Sequence, residues 1–193
     1  IRVGLNVMMS GLVWWTCDIG GFITDDNTSP RFSELMIRWY QYAMYLPVFR
    51  THGRRDNNEA WNLGNDSYTH ISNVMHARER LRPYIMEQMK LASERGIPPM
   101  RPLVFDYQQD PNVISIEDEF MCGPDILVCP VSDYELRCRD VYLPQGNDWI
   151  DVHTGKRYSG GTYLVDTPAP IDFIPVFVRD RRIDLCKIIT GNE

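Results

Sequence analysis

At 193 residues the chain is long enough for one large domain or two small ones with a substantial apolar core. Its 26 acidic and 20 basic side chains leave a formal net charge of -6, and without concentrated Lys and Arg there is no nucleic-acid footprint; Arg54-Arg55 and Arg181-Arg182 are too short to count as patches. No apolar run approaches the ~20 residues that span a bilayer, and five cysteines without short repeated spacing indicate free thiols rather than a zinc site or disulfide scaffold.

In chain order, Ile1 to Met9 is apolar and fits a helix end or a strand, and Ser10-Gly11 punctuates it. The chain starts inside that pattern, so further sequence is expected before Ile1. Leu12 to Cys17 reads as a buried strand that delivers Asp18 at its carboxyl end, where α/β folds place their chemistry. Asp18 fits equally well as the cap of a local turn that Gly20 and Gly21 let bend. After a loop at Thr24 to Ser29, Ser29-Pro30 is a helix entry, and Phe32, Leu35, Met36, Trp39, Tyr42, Ala43 and Leu46 recur at helical spacing until Pro47. Val48 to Thr51 repeats the first design, a short strand delivering His52-Gly53.

A polar loop, Arg54 to Asp66, leads to a second helix over about Ser67 to Arg95, which Pro83 should kink and Gly96 should cap. Met100 to Tyr107 reads as a third strand with Asp106 near its end. Strand and helix alternating three times, with polar residues at strand ends, is the repeat of a parallel α/β fold. A closed barrel needs eight strands and roughly 250 residues, so these units would be the last part of one.

Beyond Pro111 the pattern changes. A brief helix is expected at Ser115 to Phe120, then short strands at 126–128, 141–143, 149–152, 163–165 and 174–178, separated by Gly and Pro turns as in an antiparallel β-sandwich. Arg181 to Glu193 fits neither pattern.

The segment Trp15-Thr16-Cys17-Asp18-Ile19-Gly20-Gly21-Phe22 resembles the Asp-Ile-Gly-Gly-Phe segment of family 31 glycoside hydrolases, the α-glucosidase and α-xylosidase family. Phe49-Arg50-Thr51-His52-Gly53 is similar to its Phe-Arg-x-His-Gly segment, and Arg101-Pro102-Leu103 to the start of its eighth barrel strand. Phe120 to Val131, then Val141 to Pro144, Trp149 and Thr154-Gly155, resemble its proximal β-sandwich. Several matches in the right order are a specific signal where any one alone is weak.

The resemblance implies an α/β plus all-β chain: the last strands and helices of a (β/α)8 (TIM) barrel over 1–118, followed by an antiparallel β-sandwich domain over 119–193. It implies part of a retaining hydrolase that acts on α-linked oligosaccharides and releases glucose or xylose. Retention needs a nucleophilic carboxylate and an acid/base carboxyl about 5 to 5.5 Å apart, and the resemblance places both before Ile1. Neither a metal nor a cofactor is expected. Asp18 and His52 match positions that in the family hydrogen-bond the hydroxyls of the cleaved sugar, and Phe22 matches a ring bordering the same pocket. Arg50 is a candidate orienting partner for Asp18 or a structural ion pair, and Trp15 lines that pocket or fills the core. Asp106 caps a turn or serves the site, His70 and His76 do not share a helix face, and His153 reads as a solvent-facing turn residue. The competing reading is a non-catalytic carbohydrate-binding or assembly module centred on the β-sandwich. A partial barrel is also expected to expose strand edges and apolar faces.

Overall fold

The computed structural model describes residues 1–24, 26–56 and 58–191. Asp25 in the first predicted loop, Asn57 in the second, and Asn192 and Glu193 of the unassigned final segment lie outside the described residues. Ile1 to Met9 resolves to a helix, α1 (Arg2–Met9), which buries Leu5 and Met8. The second helix, α2 (Pro30–Ala43), starts where the sequence indicates, with Ser29 Oγ accepting from the Phe32 N–H at 3.2 Å and Pro30 in the first turn. Bonds from Tyr45 N–H to Tyr42 C=O and from Leu46 N–H to Ala43 C=O carry the winding on to Pro47. Arg78 of the third helix, α3 (Asn65–Arg95), then donates to the carbonyls of Met44, Leu46 and Pro47 and so occupies the open end of α2. The helix α3 runs through Pro83 and ends at Gly96, whose φ of +67° is the left-handed cap that glycine adopts without strain.

Two of the predicted strands are not strands. Residues 12–17 and 48–51 form no regular element, with bends at Trp14 and Val48, and run alongside each other in the same sense, with Val48 N–H donating to Trp15 C=O at 3.2 Å and Ile19 N–H to Arg50 C=O at 3.4 Å. No strand among the described residues flanks either segment, so the backbone has the direction of a parallel pair without a ladder. The third predicted strand is cut short: β1 (Met100–Pro102) gives way to a single helical turn, α4 (Leu103–Asp106). It also pairs antiparallel with β2 (Phe120–Cys122) rather than parallel to anything before it. The expected helix at Ser115 to Phe120 is instead a 3-10 turn at Pro111–Ser115, because Asp110 caps it through the Asn112 N–H and Phe120 already belongs to β2.

The remaining strands are β3 (Ile126–Val128), β4 (Cys138–Leu143), β5 (Asp148–Asp151), β6 (Arg157–Ser159), β7 (Thr162–Pro168) and β8 (Val176–Arg179). They form an antiparallel six-stranded sheet in the order β1-β2-β3-β8-β5-β6 and a separate β4-β7 pair. The strands β2, β3 and β8 of the sheet are buried on both faces, whereas the edge strand β6 is largely exposed. Phe120, Cys122, Ile126, Val128, Ile150, Val176 and Val178 join the apolar cluster of the helices, whereas the alternate residues Met121, Leu127, Trp149 and Phe177 pack with Val141 and Leu143 of β4. Strict alternation puts helices on one side and a two-stranded sheet on the other. The final segment, unassigned from sequence, forms α5 (Ile183–Thr190), and Arg181 and Arg182 converge on the buried Asp125 carboxylate at 2.9 and 3.0 Å.

Helix and sheet layers are joined by polar residues of α2. Arg38 is buried and donates to the carbonyls of Leu136 (3.1 Å), Ala169 (2.7 Å), Pro170 (2.8 Å) and Phe173 (3.0 Å), and Gln41 donates to Ile171 C=O at 2.7 Å. Burial lowers the Arg38 pKa to about 10. Glu34 receives Arg137 through both carboxylate oxygens, at 2.6 and 2.8 Å. Because the loops these residues hold cover a second side of α2, Glu34, Arg38 and Gln41 are buried while Leu35, expected inside, is exposed.

Glu119, just before β2, is buried with one carboxylate oxygen accepting the Tyr142 N–H at 3.0 Å. Burial pushes its carboxyl up to about 8. A folded pKa above the unfolded one means that its contribution is fully present in acid and is lost as pH rises from about 4.5 through about 8. Chemical denaturation should therefore show Glu119→Gln gaining at least ~1 kcal/mol on the parent between pH ~5 and pH ~8. A difference that does not change with pH would mean that Glu119 is ionised throughout.

Candidate functional site

The site is built where the two segments end. Gly21 N–H closes a turn onto Asp18 C=O at 2.7 Å, and Gly20 and Gly21 both take positive φ, +83° and +82°. There is no room for a side chain at Gly20: a Cβ would stand 2.2 Å from Met36 Sδ of α2 and 2.8 Å from Arg55 Nη2. The Asp18 carboxylate accepts from Arg50 Nη2 at 3.1 Å, with Asp18 about one-quarter and Arg50 about half exposed, so the pair is reachable from solvent. The Phe22 and His52 rings lie 5.5 Å apart at 44°. Phe22 C=O accepts from Arg54 N–H at 2.8 Å, and a Cβ at Gly53 would stand 2.8 Å from that same oxygen, so the loop after His52 lies directly on the loop after Asp18.

The structure thus brings Asp18, Arg50, Phe22 and His52 together at one end of the two segments. It puts Trp15 elsewhere. Trp15 packs against the helical core beneath Gly4 of α1, where a Cβ would stand 2.6 Å from its Nε1. With Cys17, Trp39 and Tyr42 it lines a cavity of about 640 Å³ that includes none of the other four. Cys17 beside it accepts from Trp39 Nε1 at 3.0 Å, and burial raises its pKa, which keeps it a thiol.

Asp106 is held by the buried Arg101 at 2.6 Å, a structural ion pair. His70 lies 3.4 Å from Asp172. His153 is not solvent-facing as expected: it stacks on Phe173 at 3.8 Å and its Nε2 lies 3.1 Å from Ile174 C=O, and burial lowers its pKa. Among the described residues no group of three or more His, Cys, Asp or Glu is placed to hold a metal, and no helix is long and apolar enough to cross a membrane.

The residue that sequence reasoning missed is Arg55. It is buried, donates to Gly21 C=O and, at 2.6 Å, to Ile19 C=O, and lies over the Phe32 ring at 5.7 Å. In the sequence it belongs to an Arg-Arg pair too short to count as a basic patch, at the start of a polar loop, and carries no signal beyond its place three residues after His52. A carboxylate acceptor and a guanidinium donor in one pair, with an imidazole and an aromatic ring in another on the adjoining loops, have the chemistry to meet a polyhydroxylated ring, hydroxyls to the polar groups and C–H faces to the aromatic ones.

Residues 1–88 match the family described as Glycosyl hydrolases family 31 TIM-barrel domain, and residues 96–183 the Glycosyl hydrolase family 31 C-terminal domain. The chain is 35% identical over 179 residues to an alpha-xylosidase of Saccharolobus solfataricus, covering 93% of this chain and 24% of that protein. It is 38% identical over 182 residues to neutral alpha-glucosidase AB of Sus scrofa, covering 93% and 19%. Among solved structures, a GH31 alpha-xylosidase from a soil metagenome complexed with xylose superposes with a TM-score of 0.89 at 43% identity, over 95% of this chain and 30% of that one. The chain therefore spans about a quarter or less of the length of these curated relatives.

Gly20→Ala should destabilise the fold by about 1–3 kcal/mol, through overpacking and the positive φ together. Thermal unfolding measures it, and a midpoint equal to that of the parent would show that Met36 and Arg55 yield without cost.

Proposed function

Because this chain belongs to glycoside hydrolase family 31, we propose that it supplies one wall of the sugar-binding subsite of a retaining α-glycoside hydrolase. The whole enzyme hydrolyses O-glycosyl bonds of α-linked oligosaccharides and releases glucose or xylose. The observation that carries this reading is the convergence of Asp18, Arg50, Phe22 and His52 at the ends of two adjoining segments.

In this reading Asp18 accepts hydrogen bonds from hydroxyls of the sugar being cleaved, with Arg50 fixing the orientation of the carboxylate. His52 adds an imidazole hydrogen bond, and Phe22, 42% exposed, offers its ring to the sugar's C–H edge. Such contacts strengthen as the ring flattens toward an oxocarbenium-like transition state, so they act on rate as well as on affinity. The nucleophile and the acid/base carboxyl come from barrel strands preceding Ile1. Val3 on α1 and Leu12 and Trp14 within the first subsite segment support this, since all three are large apolar side chains left exposed. Residues 1–118 carry the subsite, and the β layers, which β1 within those residues joins at one edge, buttress it through α2.

In the enzyme of which this chain forms part, Asp18→Asn and His52→Ala should each lower kcat/KM for an aryl α-xyloside or α-glucoside at least about tenfold, the value of a hydrogen bond to a charged or buried polar group. Kinetic constants equal to the parent's in both variants would remove these residues from the site.

A further inference from the structure

We propose that Arg55 is the positioning residue of this subsite, fastening the Asp18–Phe22 turn and the His52 loop into one unit. The inference rests on the reading of Asp18, Phe22 and His52 as sugar-contacting groups. Its geometric basis is independent of that reading.

The carbonyls of Ile19 and Gly21 flank Gly20, and both turn inward onto one guanidinium, Ile19 C=O accepting at 2.6 Å and Gly21 C=O also accepting. A planar fork with several fixed donors can serve two carbonyls at once, which an ammonium on a flexible stem does not reproduce. Gly20 is needed for the same reason, since its missing Cβ is the space that Arg55 Nη2 and Met36 Sδ fill. The charge is accommodated without a direct ion pair, by the two carbonyls, by Asn58 Oδ1, which also accepts from the guanidinium, and by the Phe32 ring at 5.7 Å, with the Asp18 carboxylate adding a favourable field.

The consequence is mechanical. The turn held at residues 19 and 21 carries Asp18 at one end and Phe22 at the other, and the arm that holds it leaves the backbone three residues after His52. Arg54 N–H on Phe22 C=O and the close seat of Gly53 add two more ties between the same loops. Without the guanidinium, two inward carbonyls lose their donor and the turn must open to find water. Asp18 and Phe22 then lose their fixed distance from His52, and small misplacements of groups around a reacting centre are costly in rate.

The test uses Arg55→Lys and Arg55→Ala in the enzyme containing this chain. Three quantities are read: kcat and KM on an aryl α-xyloside, the Kd for xylose, and amide exchange at residues 19–22 with β2 and β3 as internal reference. The expected result for Arg55→Lys is an at least tenfold loss in kcat/KM, weaker xylose binding, and at least tenfold faster exchange at 19–22 with the reference strands unchanged. Millimolar guanidinium ion should restore part of the Arg55→Ala loss, which general destabilisation would not allow. Folded Arg55→Lys with exchange at 19–22 and kcat/KM within twofold of the parent would overturn the proposal. Loss of protection throughout the fold in both variants would also overturn it, making Arg55 a residue of general stability. If the parent enzyme cleaves no α-glycoside, the functional reading fails by itself, and the exchange arm still decides whether Arg55 holds the turn.

Discussion

The buried Arg38 guanidinium is the contact on which the arrangement of the molecule depends. It sits on α2, yet four of its acceptors are backbone carbonyls of the loops around β4 and β7, at Leu136, Ala169, Pro170 and Phe173. Loop carbonyls buried away from water must find donors, and here one arginine serves four of them. Its removal would leave those carbonyls unpaired between two layers, whereas an apolar surface could slide. The neighbouring Glu34–Arg137 fork and the Gln41–Ile171 bond repeat the arrangement on adjacent turns, so α2 is fixed in rotation as well as in position.

That fixed helix also underlies the Asp18 turn. Met36, one turn on from Phe32 and on the opposite side of the helix from Arg38, fills the space over Gly20, and Phe32 underlies Arg55, which holds the Gly20-Gly21 turn. Trp39 donates to Cys17 just ahead of Asp18. The face of α2 that meets the loops of the β layer and the face that meets the Asp18 turn are thus two sides of one rigid rod. The link from the β layer runs from Ala169 to Arg38, through the backbone of α2 to Met36, and from Met36 to Gly20, two residues after Asp18. On this account the sheet layer keeps the sugar-facing groups in place without touching the sugar.

Much of this was legible in the sequence where a signal is local. Ser29-Pro30 and Gly96 marked helix ends through their own backbone chemistry, and the Asp18 and His52 segments stood out by residue type and spacing. What failed was whatever depends on partners distant in the chain. Leu12–Cys17 has strand composition but lacks flanking strands among the described residues, and a ladder is a property of pairs. Leu35 belongs to the apolar helical spacing yet faces outward, because remote loops bury the polar side of α2 instead. His153 lay in a turn by sequence, and only the fold brings Phe173 against it. Arg55 was hidden for a related reason, since its acceptors in the turn are backbone carbonyls that leave no trace in a pattern of side chains.

The central claim is that this chain holds the sugar while carboxylates outside it do the chemistry. It is tested most directly by assaying the rigorously purified 193-residue chain, beside the longer enzyme, with an aryl α-xyloside and an aryl α-glucoside. The account predicts release of the aryl group by the longer enzyme and none above background by the chain alone. Turnover that stays with the 193-residue chain through purification would contradict it.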